Sequence, residues 1–356
     1  MNTQWSLDTH GDPLGTVREL LMEIWSLADL AGMLVTMPDG RESRVIPRFI
    51  TDKASIDRIN PFKPLMEMNI ARLIPGILDN HPHAWIGALL RPCELRALIE
   101  MTKHTQMNLD HLLTITVDCL GTLPADEYEW RLERMAKQHV SGEIDSPDVN
   151  DELAQEALKF ARQGGVIPYR YRPACQVCIS PAAGQADVNI QVLGLPVRQQ
   201  LLLSISKEAF ASGINRGNIT LKPAEGGLIL QHDHIVEKMV ERHQRTMERV
   251  NEGLGSLLPS DVDAVIAQLE GCGDCQACMD VCPICSVDKP HRDTNGHYDR
   301  MQIMRWLISC AGCGMCEQSC PDHLPTAAIF AHIRQQLDLE WQYLPGSSTN
   351  DPLPNM

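Results

Sequence analysis

The chain has 356 residues, a formal charge of −15, an ordinary apolar share and 13 cysteines. Such a length holds two or three domains with real cores, and the acidity excludes nucleic acid or an anionic membrane as the main partner. Residues 1–13 are polar and carry no basic segment followed by an apolar run, so the expected compartment is the cytoplasm. There thiols stay reduced, and an odd cysteine count speaks against a disulfide framework.

In chain order, residues 16–30 have helical periodicity, and 33–37, 84–90 and 113–117 read as buried strands. The apolar stretch 20–35 is broken by Glu23 and Asp29 and reads as a core helix, too short and charged to span a bilayer. Helices follow at 92–104 and 126–140, then a surface loop at 141–150. Strands at 187–194, 201–205 and 219–223 surround a helix at 207–212. A charged helix at 232–250 runs to a Gly, Ser and Pro-rich boundary at 253–260. The expectation is an α/β domain with a mixed central sheet over 1–252. A mainly helical ferredoxin-like domain follows over 261–340, with helices at 262–269, 301–308 and 326–337. The tail at 341–356 is expected to be disordered.

The C-terminal domain contains a repeat. One copy is Cys272-x2-Cys275-x2-Cys278-x3-Cys282-Pro283, the other Cys310-x2-Cys313-x2-Cys316-x3-Cys320-Pro321. In such runs three close thiolates wrap one [4Fe–4S] cluster and the fourth reaches the other cluster of the pair. The ligand sets are therefore Cys272, Cys275, Cys278 and Cys320, and Cys310, Cys313, Cys316 and Cys282. Zinc sites use separated cysteine pairs rather than a tight run of four with a trailing proline. Residues 306–325, with the second run and the His-Leu-Pro after it, resemble the α-helical ferredoxin domains of heterodisulfide reductase and succinate dehydrogenase subunits.

Five cysteines remain. Cys93 lies at a strand-to-helix junction, Cys119 ends a strand, and Cys175-x2-Cys178 sits in a loop begun by Arg172-Pro173; Cys285 stands alone. Spacing leaves two readings level for Cys93 and Cys119: ligands of a third cluster, or buried small hydrophobes. Cys175-x2-Cys178 favours ligation.

Residues 86–97 (Ile-Gly-Ala-Leu-Leu-Arg-Pro-Cys-Glu-Leu-Arg-Ala), 117–121 (Val-Asp-Cys-Leu-Gly) and 172–178 (Arg-Pro-Ala-Cys-Gln-Val-Cys), followed by Ala-Asp-Val-Asn-Ile at 186–190, resemble the beta subunits of coenzyme F420-reducing hydrogenase and formate dehydrogenase. The likeness runs over roughly residues 15 to 250. It implies that Cys93, Cys119, Cys175 and Cys178 hold a third [4Fe–4S] cluster near FAD, with Cys285 a spare thiol packed against the adjacent cluster. It also implies a flavin segment at Gly15, Thr16, Val17 and Arg18, where a helix start admits a phosphate. A second flavin segment contains Asn60 and Phe62. Scattered histidines such as His232 read as solvated or capping, and no Gly-x-Gly-x-x-Gly fingerprint or phosphate-binding loop occurs.

The expected function is electron transfer within an oxidoreductase complex. Electrons would pass between a catalytic partner of hydrogenase, formate dehydrogenase or heterodisulfide-reductase type and a flavin or deazaflavin acceptor. The alternatives are a flavin-free relay or scaffold, and a stand-alone flavin-dependent reductase fed by a ferredoxin. No residue is identified as catalytic.

Overall fold

The computed structural model describes residues 3–40, 43–140, 155–159, 162, 170–206, 208–215, 217, 219–254, 258–259, 261–272 and 275–354. The loop read at 141–150 and part of the boundary read at 253–260 lie outside them.

One mixed sheet of eight strands organises the first two thirds: β1 (Thr3–Asp8), β2 (Gly32–Pro38), β3 (Val45–Ile50), β4 (Ile86–Leu90), β5 (Leu112–Val117), β6 (Val188–Gln191), β7 (Gln200–Ile205) and β8 (Leu221–Pro223). Their order is β3-β2-β4-β5-β6-β7-β1-β8. β2, β4, β5 and β6 run parallel, with Ile86 opposite Leu112 and Ile115 opposite Val188. The remaining pairings are antiparallel. Every residue of β4, β5 and β6 is buried. That is why these strands read as continuous apolar runs: both sheet faces are covered.

Alternation along the strands sorts two cores. Met33, Val35, Leu89, Ile115 and Ile190 pack with the helix Pro13–Leu27 on one side. Leu34, Ile86, Ala88 and Leu90 pack on the other with the helix Pro92–Thr105. This second core continues into Trp306, Leu307, Ile308, Phe330 and Ile333 of the helices Arg300–Ile308 and Thr326–Trp341. The cysteine repeat is thereby pressed onto one face of the sheet. His104 joins the two regions, its ring nitrogens 2.8 Å from Asp288 Oδ2 and 2.9 Å from Ser309 Oγ.

Three expectations give way. The stretch 20–35 is not one helix: the chain leaves it at Leu27, turns through Asp29 at a φ of +49°, and enters β2. β1 and β3 were not legible, β1 because it sits in a polar segment and β3 because Pro47 interrupts it; an edge position tolerates such a proline. The tail read as disordered starts anchored. Tyr343 is 7% exposed and donates to Glu100, which also accepts from Gly346 N at 2.7 Å and pairs with Lys103 at 2.9 Å. Among the described residues no helix is long and apolar enough to cross a membrane.

Tyr343→Phe leaves the buried Glu100 carboxylate one donor short. Anaerobic thermal unfolding of the variant is expected to show a loss of about 1–3 kcal/mol; an unchanged midpoint would mean the tail is not held there.

Candidate metal centres

Three cavities collect twelve of the cysteines or bring them within electrostatic reach of one another. The first is lined by Cys272, Cys275, Cys278 and Cys320. Cys320 comes from the second run, so the exchanged fourth cysteine of the spacing rule lies beside the first run. At the second, Cys310 and Cys316 line one cavity, and Cys313 lines its neighbour. Cys282, from the first run, acts on all three thiols. The third is lined by Cys93, Cys119, Cys175 and Cys178. Among the described residues no three His, Cys, Asp or Glu side chains are gathered to hold a single metal ion. The cysteines that line the first and third spaces, and those that meet electrostatically at the second, are donors of the kind that hold a [4Fe–4S] cluster, and the residues fit that group.

Local structure explains how the third site forms. Cys93 occupies the first turn of the helix Pro92–Thr105, opened by Pro92 and closed by the buried Glu94, which accepts from Arg91 N at 2.7 Å. Cys119 follows β5 and its sulfur accepts from Gly121 N at 3.4 Å. The segment carrying Cys175 and Cys178 is sewn to that strand end, since Arg172 N donates to Thr122 O at 3.0 Å and Cys119 N to Pro181 O at 2.7 Å. Thr122 Oγ1 lies 3.2 Å from Cys175 Sγ. The long helix Gly226–Leu254 braces both sides: His243 Nδ1 is 2.6 Å from Cys178 O, and His232 Nε2 is 3.0 Å from Asp118 Oδ2.

These histidines are 7% and 3% exposed, so the reading of His232 as solvated or capping is corrected. Burial depresses His243. At His232 burial works in the same direction, but Asp118 and Asp233 prevail and raise it.

Burial also governs the thiols. It pushes Cys119 up to about 12, with Cys175 adding to the shift, and raises Cys93 as well. Cys278 and Cys313 rise to about 11, and Cys272, Cys310 and Cys316 rise as well, burial again leading. Cys282 goes the other way, to about 7, because the Cys285 thiol donates to it and Trp306 Nε1 donates at 3.3 Å. Cys285 itself is buried and held protonated by burial and by that bond. The Cys285 thiol thus packs against Cys282, the fourth cysteine of the first run.

The proposed flavin residues divide. Asn60 and Phe62 line a crevice with Lys63, Arg91 and Glu94 at the carboxyl ends of β2, β4 and β5. Cys119, Leu120 and Gly121 belong to this crevice and to the third cysteine cavity at once, so the two spaces share a wall. Gly15, Thr16, Val17 and Arg18 do not line it. Gly15 N donates to Asp12 Oδ1 at 2.8 Å, Thr16 Oγ1 to Asp12 O at 2.7 Å, and Val17 is wholly buried. Arg18 donates to Ile59 O at 2.8 Å, which moors this helix beside the Asn60 segment. A carboxylate therefore sits at the helix start that the resemblance assigns to a phosphate, and a second anion there would be repelled.

No model of a known protein family matches the chain. Over 331 residues it is 23% identical to the F420-dependent formate dehydrogenase subunit beta of Methanocaldococcus jannaschii, covering 86% of this chain and 85% of that protein. It is 25% identical to F420-dependent formate dehydrogenase 1 subunit beta of Methanococcus maripaludis over 305 residues, 78% of this chain and 77% of that one. A chain of the F420-reducing [NiFe] hydrogenase complex from Methanosarcina barkeri has the same fold. Its TM-score is 0.51 at 14% identity, over 69% of this chain and 91% of that chain. The resemblance read in the sequence is borne out, as is the α/β class with a helical C-terminal part.

Iron analysis of single variants tests the third site and the roles of Cys282 and Cys285. Cys119→Ser and Cys175→Ser are each expected to lose about four irons per chain, one cluster's worth, whereas Cys285→Ser keeps the full complement. Iron loss in Cys285→Ser together with retention in Cys282→Ser would reverse the roles of those two thiols.

Proposed function

We propose that this chain, a relative of the beta subunits of F420-dependent formate dehydrogenases, is an iron–sulfur electron-transfer subunit of an oxidoreductase complex. The observation that carries the reading is the row of neighbouring cysteine-lined spaces that ends in a crevice. The site of Cys272, Cys275, Cys278 and Cys320 has its first two cysteines exposed, so it is the one open to a partner. Next comes the site of Cys310, Cys313, Cys316 and Cys282, and then that of Cys93, Cys119, Cys175 and Cys178. Clusters bound there would supply one-electron carriers, whose potentials are set by hydrogen bonds and burial. The partner is a catalytic subunit of formate dehydrogenase, hydrogenase or heterodisulfide-reductase type.

FAD belongs in the crevice behind Cys119, with Asn60 and Phe62 against it, and a deazaflavin is the external acceptor. Cys119–Gly121 would separate the flavin from the third site by a single turn of chain. A flavin-free relay is the second reading, favoured by the Asp12 carboxylate at the helix start.

The test is an anaerobic preparation of the full chain, analysed for extractable flavin and, after chemical reduction, mixed with coenzyme F420. One FAD per chain and bleaching of the deazaflavin absorbance are expected. Absence of both would leave the flavin-free relay.

A further inference from the structure

Two guanidinium groups lie where the second and third cysteine sites meet. Arg172 is 5% exposed. Its Nε donates to Thr122 Oγ1 at 2.7 Å and its Nη2 reaches Cys175 Sγ at 3.9 Å, both on the side of the third site. From the same fork, Nη2 donates to Cys313 O at 3.3 Å and Nη1 to Gln318 Oε1 at 2.9 Å, both beside the second site. Arg96, half-buried on the helix that carries Cys93, repeats the pattern. Its Nη1 donates to Ser180 O at 3.1 Å, two residues beyond Cys178, and its Nη2 to Ala311 O at 2.9 Å, between Cys310 and Cys313.

The loops are held close enough for both arginines to span them. A Cβ on Gly314 would fall 2.3 Å from Ala174 Cβ, and Gly314 has a φ of +68°. Only glycine admits that approach.

The partners of the two guanidinium groups are carbonyls, a hydroxyl, an amide and sulfur rather than carboxylates. A buried cation without an anion is costly. The anions that would neutralise this pair are the thiolates of the two sites, Cys175 Sγ lying 3.9 Å from Arg172 Nη2.

We propose that Arg96 and Arg172 form a two-cation bridge which raises the reduction potentials at the second and third cysteine sites together, so that electrons delivered at the exposed first site collect at this inner pair. The inference rests on the iron–sulfur reading above. Four thiolates and a [4Fe–4S] core together are negative, and a one-electron reduction makes them more so. A fixed positive charge a few ångströms away favours the reduced form, most strongly in a site with little water. Each arginine faces both inner sites, so the bridge acts on both midpoints in the same direction. Both are positioning residues, acting through the field at the sites.

The experiment is an EPR-monitored anaerobic potentiometric titration of the full chain and of Arg172→Gln, Arg96→Gln, Arg172→Lys and Arg96→Lys, each with iron measured beforehand. The glutamine variants are expected to shift two of three midpoints to lower potential and leave the third in place. The lysine variants are expected to keep most of the native value, because the charge remains. Unmoved midpoints in glutamine variants with full iron would overturn the bridge, as would lysine variants that shift as far as the glutamine ones. Should a glutamine variant lose iron, the lysine pair decides by the same criterion. Failure of the cluster reading itself would be seen separately, as an iron deficit in the unmutated chain.

Discussion

A thiolate taken out of water is costly unless positive charge stands beside it, and this constraint runs through the whole molecule. Burial leads in lifting the thiols of Cys93, Cys119, Cys310, Cys313 and Cys316 above their ordinary value. Iron can be held at these positions only if their protons leave, so loading the sites and stabilising the fold are one linked process. The surrounding design follows from that. The first turn of the helix Pro92–Thr105 points its positive end at the region of Cys93. Two guanidinium groups lie at the seam, and Cys282 has an N–H and an S–H directed at its sulfur.

The sheet is the device that makes such sites affordable in structural terms. Adjacent parallel strands put the exits of β4 and β5 side by side, which brings Cys93 and Cys119 together although 26 residues separate them in sequence. The connection into β6 then folds back over those exits and is held by Arg172, Pro181 and His243. On the same sheet face the helices of the cysteine repeat share one apolar core with the helix bearing Cys93 and Arg96. Packing, rather than a flexible hinge, thus sets the spacing between neighbouring sites.

Much of this was legible in the sequence, for identifiable reasons. The two runs and their exchanged fourth cysteines follow from local spacing. Cys93, Cys119, Cys175 and Cys178 follow from strand ends together with a family resemblance. Six of the eight strands came through because their apolar runs are bounded by turn residues. Arg96, Arg172, His232 and His243 did not come through. Their decisive partners lie tens to hundreds of residues away, and a single sequence carries no local mark of such a contact. At the helix start the glycine at Gly15 was legible, whereas the Asp12 cap that occupies its N–H depends on a backbone turn.

On the proposed reading, twelve cysteines form three cluster sites in one chain. Iron and acid-labile sulfide, measured per polypeptide on anaerobically purified protein, test it most directly. About twelve of each are expected; about eight would contradict the third site and, with it, the link from the cysteine repeat to the crevice.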